Sequence, residues 1–200
     1  MKKEFSFYEF VAILVPSAIL LYAVQLILEH AYQKQIVDFG KLGETVIFVI
    51  ICYGVGHIIQ SLGNFFENIV WFVYGGMPTK WLIHKNKFNK YLFEQSLNQR
   101  IVEQVKKKFG NDIEDYGRVT YNLLFQKDKT KRIDIFNGNY SLFRGLAVSF
   151  LIITVLCSYY LVWQLSLVAL VISLLATVRM IRFAKYYATE TFMTFYNLLD

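Results

Sequence analysis

The residues best suited to chemistry in this chain sit on one stretch. Tyr53, His57, Gln60, Ser61, Asn64, Glu67, Asn68 and Trp71 recur at steps of three and four. At 100° per residue this spacing places them within roughly 120° of one helix face. The stretch is otherwise apolar, and a polar face on a membrane helix is expensive against lipid, so such residues turn to a bundle interior, a water-filled cavity or another subunit. Three readings follow. The plainest is a hydrogen-bonded packing seam, with Gly54, Gly56 and Gly63 admitting a neighbouring helix. The second is a polar path with His57 titrating inside it and Glu67 at its mouth. The third is catalysis by His57 and Glu67, but ten residues of one helix separate them by roughly 15 Å, too far to act on one atom unless another helix contributes.

The remaining chemistry is sparse. There is no GxxxxGK[ST], no GxSxG and no HExxH. His30, His57 and His84 are far apart, and Cys52 and Cys157 have no CxxC partner. Both cysteines fall in apolar stretches and read as buried, inert thiols. No metal, cofactor or catalytic group is expected, and the chain reads as a non-enzyme. The HEPN ribonuclease signature, an arginine followed a few residues later by a histidine, cannot occur, because the first arginine is Arg100 and no histidine follows it.

The elements that carry these residues are set by long blocks without Asp, Glu, Lys or Arg. Such blocks run from Phe10 to Leu28, from Thr45 to Phe66 and from Gly145 to Val178. A bilayer-crossing helix needs roughly 20 mostly apolar residues, and inside hydrocarbon helices satisfy their own backbone. The chain is 56% apolar and 18% charged, against about 25% charged in soluble domains. The expected fold is all-α and integral to a membrane, with four transmembrane helices and a small helical cytoplasmic segment. The first two spans fall near 8–28 and 45–74, within a region 1–76. A basic segment covers 77–139. Region 140–200 holds a hairpin, with spans near 143–162 and 165–183 and a tight turn around Trp163 and Gln164, then a tail.

Charge chooses the hairpin over one long span. Lys and Arg near span ends stay on the cytoplasmic side. The stretch from Pro78 to Arg144 carries 14 Lys and Arg against 7 Asp and Glu, and the tail opens with Arg179, Arg182 and Lys185. With four spans, 19 of the 21 basic residues fall on one side; only Lys34 and Lys41 fall on the other. Both termini are then cytoplasmic, in a bacterial inner membrane.

Within the basic segment, Gly75-Gly76-Met77-Pro78 ends the second helix. Ser96-x-x-Gln99 resembles a capping box for a helix to Phe109, stopped by Gly110. A second helix is expected over Glu114–Gln126 with Val119 and Leu123 inward. A charged turn Lys127–Lys131 follows, then a helix from Arg132 into the membrane. Lys106, Lys107, Lys108, Lys127, Lys129, Lys131 and Arg132 form a basic patch, read as cytoplasmic retention and headgroup contact. No aromatic residues are interleaved for base stacking, so direct nucleic-acid binding is not expected. Pro16 should kink the first span. Ser166, Ala169, Ser173 and Thr177 form a small-residue packing face on the last.

Three stretches together resemble a known group: Phe7-Tyr8-Glu9-Phe10 with Val15-Pro16; Gly54-x-Gly56-His57-x-x-Gln60-x-x-Gly63-Asn64-x-x-Glu67; and Tyr140-x-Leu142-Phe143-Arg144-Gly145-Leu146-Ala147. They resemble small bacterial multi-pass membrane proteins, among them the multi-span accessory protein of RNA-targeting type VI-B CRISPR systems. The resemblance implies a homo-oligomeric accessory in the bilayer, with a cytosolic HEPN nuclease as partner. It carries over no catalytic residue.

Overall fold

A computed structural model describes residues 7–32, 42–82, 88, 92–111 and 113–199. Lys2, Lys3, Lys34, Lys41 and His84 lie outside the described residues, as do the side chains of Phe7, Tyr8 and Glu9. The described residues form seven helices and no strand: α1 Phe7–Tyr32, α2 Leu42–Val73, α3 Pro78–Trp81, α4 Gln95–Phe109, α5 Tyr116–Gln126, α6 Lys131–Tyr159 and α7 Trp163–Leu199. Four of them, α1, α2, α6 and α7, are long and apolar enough to cross a membrane. The protein is an all-α, multi-pass membrane protein. At 1.5 Å per residue α7 is about 55 Å long, well beyond the roughly 30 Å of hydrocarbon.

The long apolar block does break into a hairpin, but not where expected. Trp163 and Gln164 open α7, and the turn is Tyr160-Leu161-Val162. Val162 N–H donates to Cys157 O at 2.8 Å and Leu161 N–H to Ser158 O at 3.2 Å. Leu161 has φ +61°. This is a Schellman cap with leucine in the left-handed position that glycine usually takes. The same motif ends α2, where Gly75 has φ +69° and Gly76 N–H donates to Trp71 O at 2.8 Å. It also ends α5, where Asp128 has φ +54° and Lys129 N–H donates to Leu124 O at 3.0 Å.

The chain divides into two units. The first holds residues 1–67 and 138–180, the second 68–137 and 181–200. In the first, Leu20, Ile59, Val148, Ile153, Cys157 and Ala169 pack together. Both cysteines are free and buried. The small-residue face of α7 packs as expected. Ser173 Oγ donates to Ala147 O at 2.8 Å, and Ser166 Oγ to Thr154 O at 3.1 Å. The exposed residues of this unit include the large apolar side chains of Ile50, Ile58, Leu62, Phe65, Leu167 and Leu174.

The second unit packs Leu82, Ile101, Val105, Tyr116, Leu124, Ile133, Phe192 and Phe195 into one core. Three local expectations are corrected there. The α4 N-cap is Glu94, without a side-chain cap bond, so Ser96 lies inside the helix and closes no capping box. The cap of α5 is Asp115, whose carboxylate accepts from Arg118 N–H at 3.0 Å. Its most buried face is Tyr116, Thr120 and Leu124; Leu123 is half-buried and packs against that core as expected, while Val119 is half-buried beside it. Gly110 stops α4 as expected, at φ +89°.

Candidate functional site

Helix α2 carries the polar stripe, and the fold divides it lengthwise. Gln60 and Glu67 turn inward; Tyr53, His57, Ser61 and Asn64 are exposed. The stripe is therefore not one surface, and His57 and Glu67 do not share an environment.

The inward half begins at a defect in α1. Pro16 has no N–H, so the carbonyl of Ala12 loses its helical donor. Gln60 Nε2 supplies the missing bond at 2.7 Å, and a second contact runs to Ser141 O at 3.3 Å. The Oε1 of Gln60 accepts from Arg144 Nη2 at 2.8 Å. Arg144 Nη1 then donates to Glu67 Oε2 at 2.6 Å, and Tyr140 Oη donates to the same oxygen at 2.5 Å. One amide thus mends the proline break and joins a charged pair to it. The charged side chains are mostly buried: Arg144 is 12% and Glu67 19% exposed. A buried ion pair is tolerable only with its remaining donors and acceptors engaged, and Gln60 and Tyr140 supply two of those bonds. Arg144 Nε is buried and has no hydrogen-bond partner among the described residues.

Glycines make room for this arrangement. A Cβ at Gly145 would meet Pro16 Cγ at 2.8 Å and Gln60 Nε2 at 3.0 Å. One at Gly63 would press on Arg144 Cγ and Nε at 3.1 Å, and one at Gly56 would overlap Ile13. Ser149 Oγ also donates to Pro16 O at 3.0 Å, which ties α6 to α1 beside the break.

The outward half is different. Tyr53 and His57 meet edge to face, 4.8 Å between ring centroids. Ser61 Oγ donates to His57 O at 3.0 Å. Neither the His57 ring nitrogens nor the Asn64 amide has a hydrogen-bond partner among the described residues. A Cβ at Gly54 would meet nothing within 4 Å.

The seven residues of the basic patch lie in the second unit and are all exposed. Lys106, Lys107 and Lys108 form the last turn of α4, where cations offset the carbonyl end of the helix dipole. Lys127 and Lys129 flank the turn after α5, and Lys131 and Arg132 open α6. Arg132 lies 3.5 Å from Glu190 and stacks over Phe136. Nearby, Tyr121 donates to Asp134 at 2.7 Å; burial, and then that carboxylate, push its phenol above the usual tyrosine range. Among the described residues, no group of His, Cys, Asp or Glu is placed to hold a metal ion.

Sequence reasoning found Gln60 and Glu67 but missed Tyr140 and Arg144 as their partners. The available signal was an i, i+4 Tyr–Arg pair at the mouth of an apolar block, facing a span that carries one acid. No family model, curated protein or solved structure matches this chain.

Proposed function

We propose that this protein is a non-enzymatic accessory or effector of antiphage defence in a bacterial inner membrane, acting by lateral assembly of its membrane unit. The observation that carries the reading is the exposed polar edge of α2, Tyr53, His57, Ser61 and Asn64, on a helix whose other outward residues, Asn68 apart, are mostly large and apolar. Lipid offers such groups no hydrogen bonds, so they favour protein neighbours within the bilayer. The resemblance to the type VI-B accessory group supplies the defence context and a cytosolic RNA-targeting nuclease as partner. The charge asymmetry supports a cytoplasmic side for both termini and the second unit, where a helical core with exposed lysines suits a docking role better than chemistry. Assembly would then alter membrane integrity or modulate the nuclease. A path through a single bundle is disfavoured, because Gln60 and Glu67 are engaged by Arg144.

The test is phage challenge of cells carrying the whole defence locus, with His57→Leu plus Asn64→Leu against the parent chain. The double variant should accumulate in the membrane normally and lose protection. Protection equal to the parent removes the proposed role. Constitutive ion flux in reconstituted vesicles, without an infection trigger, would make the protein a channel component instead.

A further inference from the structure

The outward edge of α2 identifies its own partner. Tyr53, Gly54, His57, Ser61 and Asn64 fall within about 100° of arc at helical spacing, and all five are exposed. Ile58 and Leu62 lie just beyond them on the lipid-facing side, also exposed. The nearest glycines of the span, Gly56 and Gly63, have their space filled by Ile13 and Arg144, whereas the space over Gly54, like that over Gly43 at the start of the helix, is open. The edge therefore combines room for a close helix with two polar groups, the His57 ring and the Asn64 amide, that have no hydrogen-bond partner among the described residues, and a Ser61 hydroxyl that can still accept.

We propose that a second copy of this chain covers that edge, α2 packing against α2 across a twofold axis along the bilayer normal. This rests on the lateral-assembly reading above and names the surface and the occupant. Three features favour a second copy over another protein. First, each polar group is self-complementary: an asparagine amide, a serine hydroxyl and a neutral imidazole each both donate and accept, so two identical edges can satisfy one another. Second, no charged residue lies on α2 between Glu44 and Glu67, so the edge sets no demand for an oppositely charged helix. Third, copies of one chain insert with the same orientation. The two α2 helices then run parallel, and like residues meet at equal depth: Asn64 with Asn64, Ser61 with Ser61, His57 with His57. The small residues Gly54 and Ser61, two turns apart, let the backbones approach.

The experiment is single-cysteine crosslinking of the full chain in membranes, in a Cys52→Ala, Cys157→Ala background. His57→Cys, Ser61→Cys and Asn64→Cys should form disulfide-linked dimers on mild oxidation, while Ile58→Cys and Leu62→Cys should not. In proteoliposomes, Asn64→Leu should weaken self-association, read by energy transfer between labelled copies, about tenfold. Uniform crosslinking around the helix, a maximum at Ile58 and Leu62, or no dimer at any position overturns the proposal. The two readings fail separately. The helical pattern with full phage protection by Asn64→Leu leaves the interface standing and removes the defence role. Lost protection without the pattern removes the interface and points to a different partner.

Discussion

The two units of the protein differ in what they expose. In the first, buried positions include Ser17, Ser149, Ser166 and Ser173 and most of the Arg144–Glu67 pair, while Ile50, Phe65, Leu167 and Leu174 are exposed. In the second, Ile101, Leu124, Ile133, Phe192 and Phe195 are buried and Lys106, Lys107 and Lys108 are exposed. Around that core, formed largely by α4, α5 and the end of α7, the second unit follows the rule of water: apolar surface is hidden because hiding it is favourable. The first cannot use that force, since lipid is as apolar as leucine, and it holds together by close packing and hydrogen bonds. The same chain thus uses two sets of interactions, and each unit should be sensitive to a different kind of substitution.

The largest effect should come from Glu67→Leu. It strands the buried Arg144 cation and leaves Tyr140 without its acceptor, a loss of about 3–5 kcal/mol for a broken buried pair. Adding Arg144→Met should recover most of that loss, because removing both charges also removes the desolvation penalty. Thermal unfolding in detergent reads both. If Glu67→Leu behaves like Lys107→Gln, expected to stay within about 0.5 kcal/mol, the first unit does not depend on its polar interior. In the second unit, Leu124→Ala should cost about 2–5 kcal/mol through lost burial and a cavity. Hydrogen exchange should show faster opening of α5. A smaller, sharper test joins α1 to α2. Gln60→Met should cost about 1–3 kcal/mol by leaving the Ala12 carbonyl unsatisfied. In a Pro16→Ala background the penalty should shrink, because the new residue's own N–H takes that carbonyl. A double-mutant cycle measures the difference, and zero coupling would separate the two features.

Much of the fold was legible because lipid imposes a coarse rule: long uncharged blocks become helices. The turn of the second hairpin was not, although it uses the same cap as the end of α2. There Gly75 announces the left-handed residue; at Leu161 nothing in the residue type does, since leucine rarely adopts φ +61°. The apparent capping box at Ser96 failed for a related reason, because α4 starts one residue before it, at Gln95. The stripe was legible as a period of three and four, but its division was not. Which side of α2 meets a neighbour depends on Arg144, 84 residues beyond Gln60. Arg144 read as the border of an apolar block rather than as half of a pair. Pro16 read as a kink standing alone, because its repair comes from another helix.

That repair has a consequence for biosynthesis. Ala12 and Gln60 are 48 residues apart, and Arg144 follows much later, so the ribosome delivers the break, the mend and the anchor in that order. The first span enters the bilayer with one carbonyl still open. It can close only when the second span lies alongside, and the amide that closes it is held at its other end only after the third arrives. The finished pairing is therefore a record of assembly: a copy that mispacks any one of three helices keeps an unmet group in hydrocarbon, the kind of flaw by which membrane quality control can tell an unfinished bundle from a finished one.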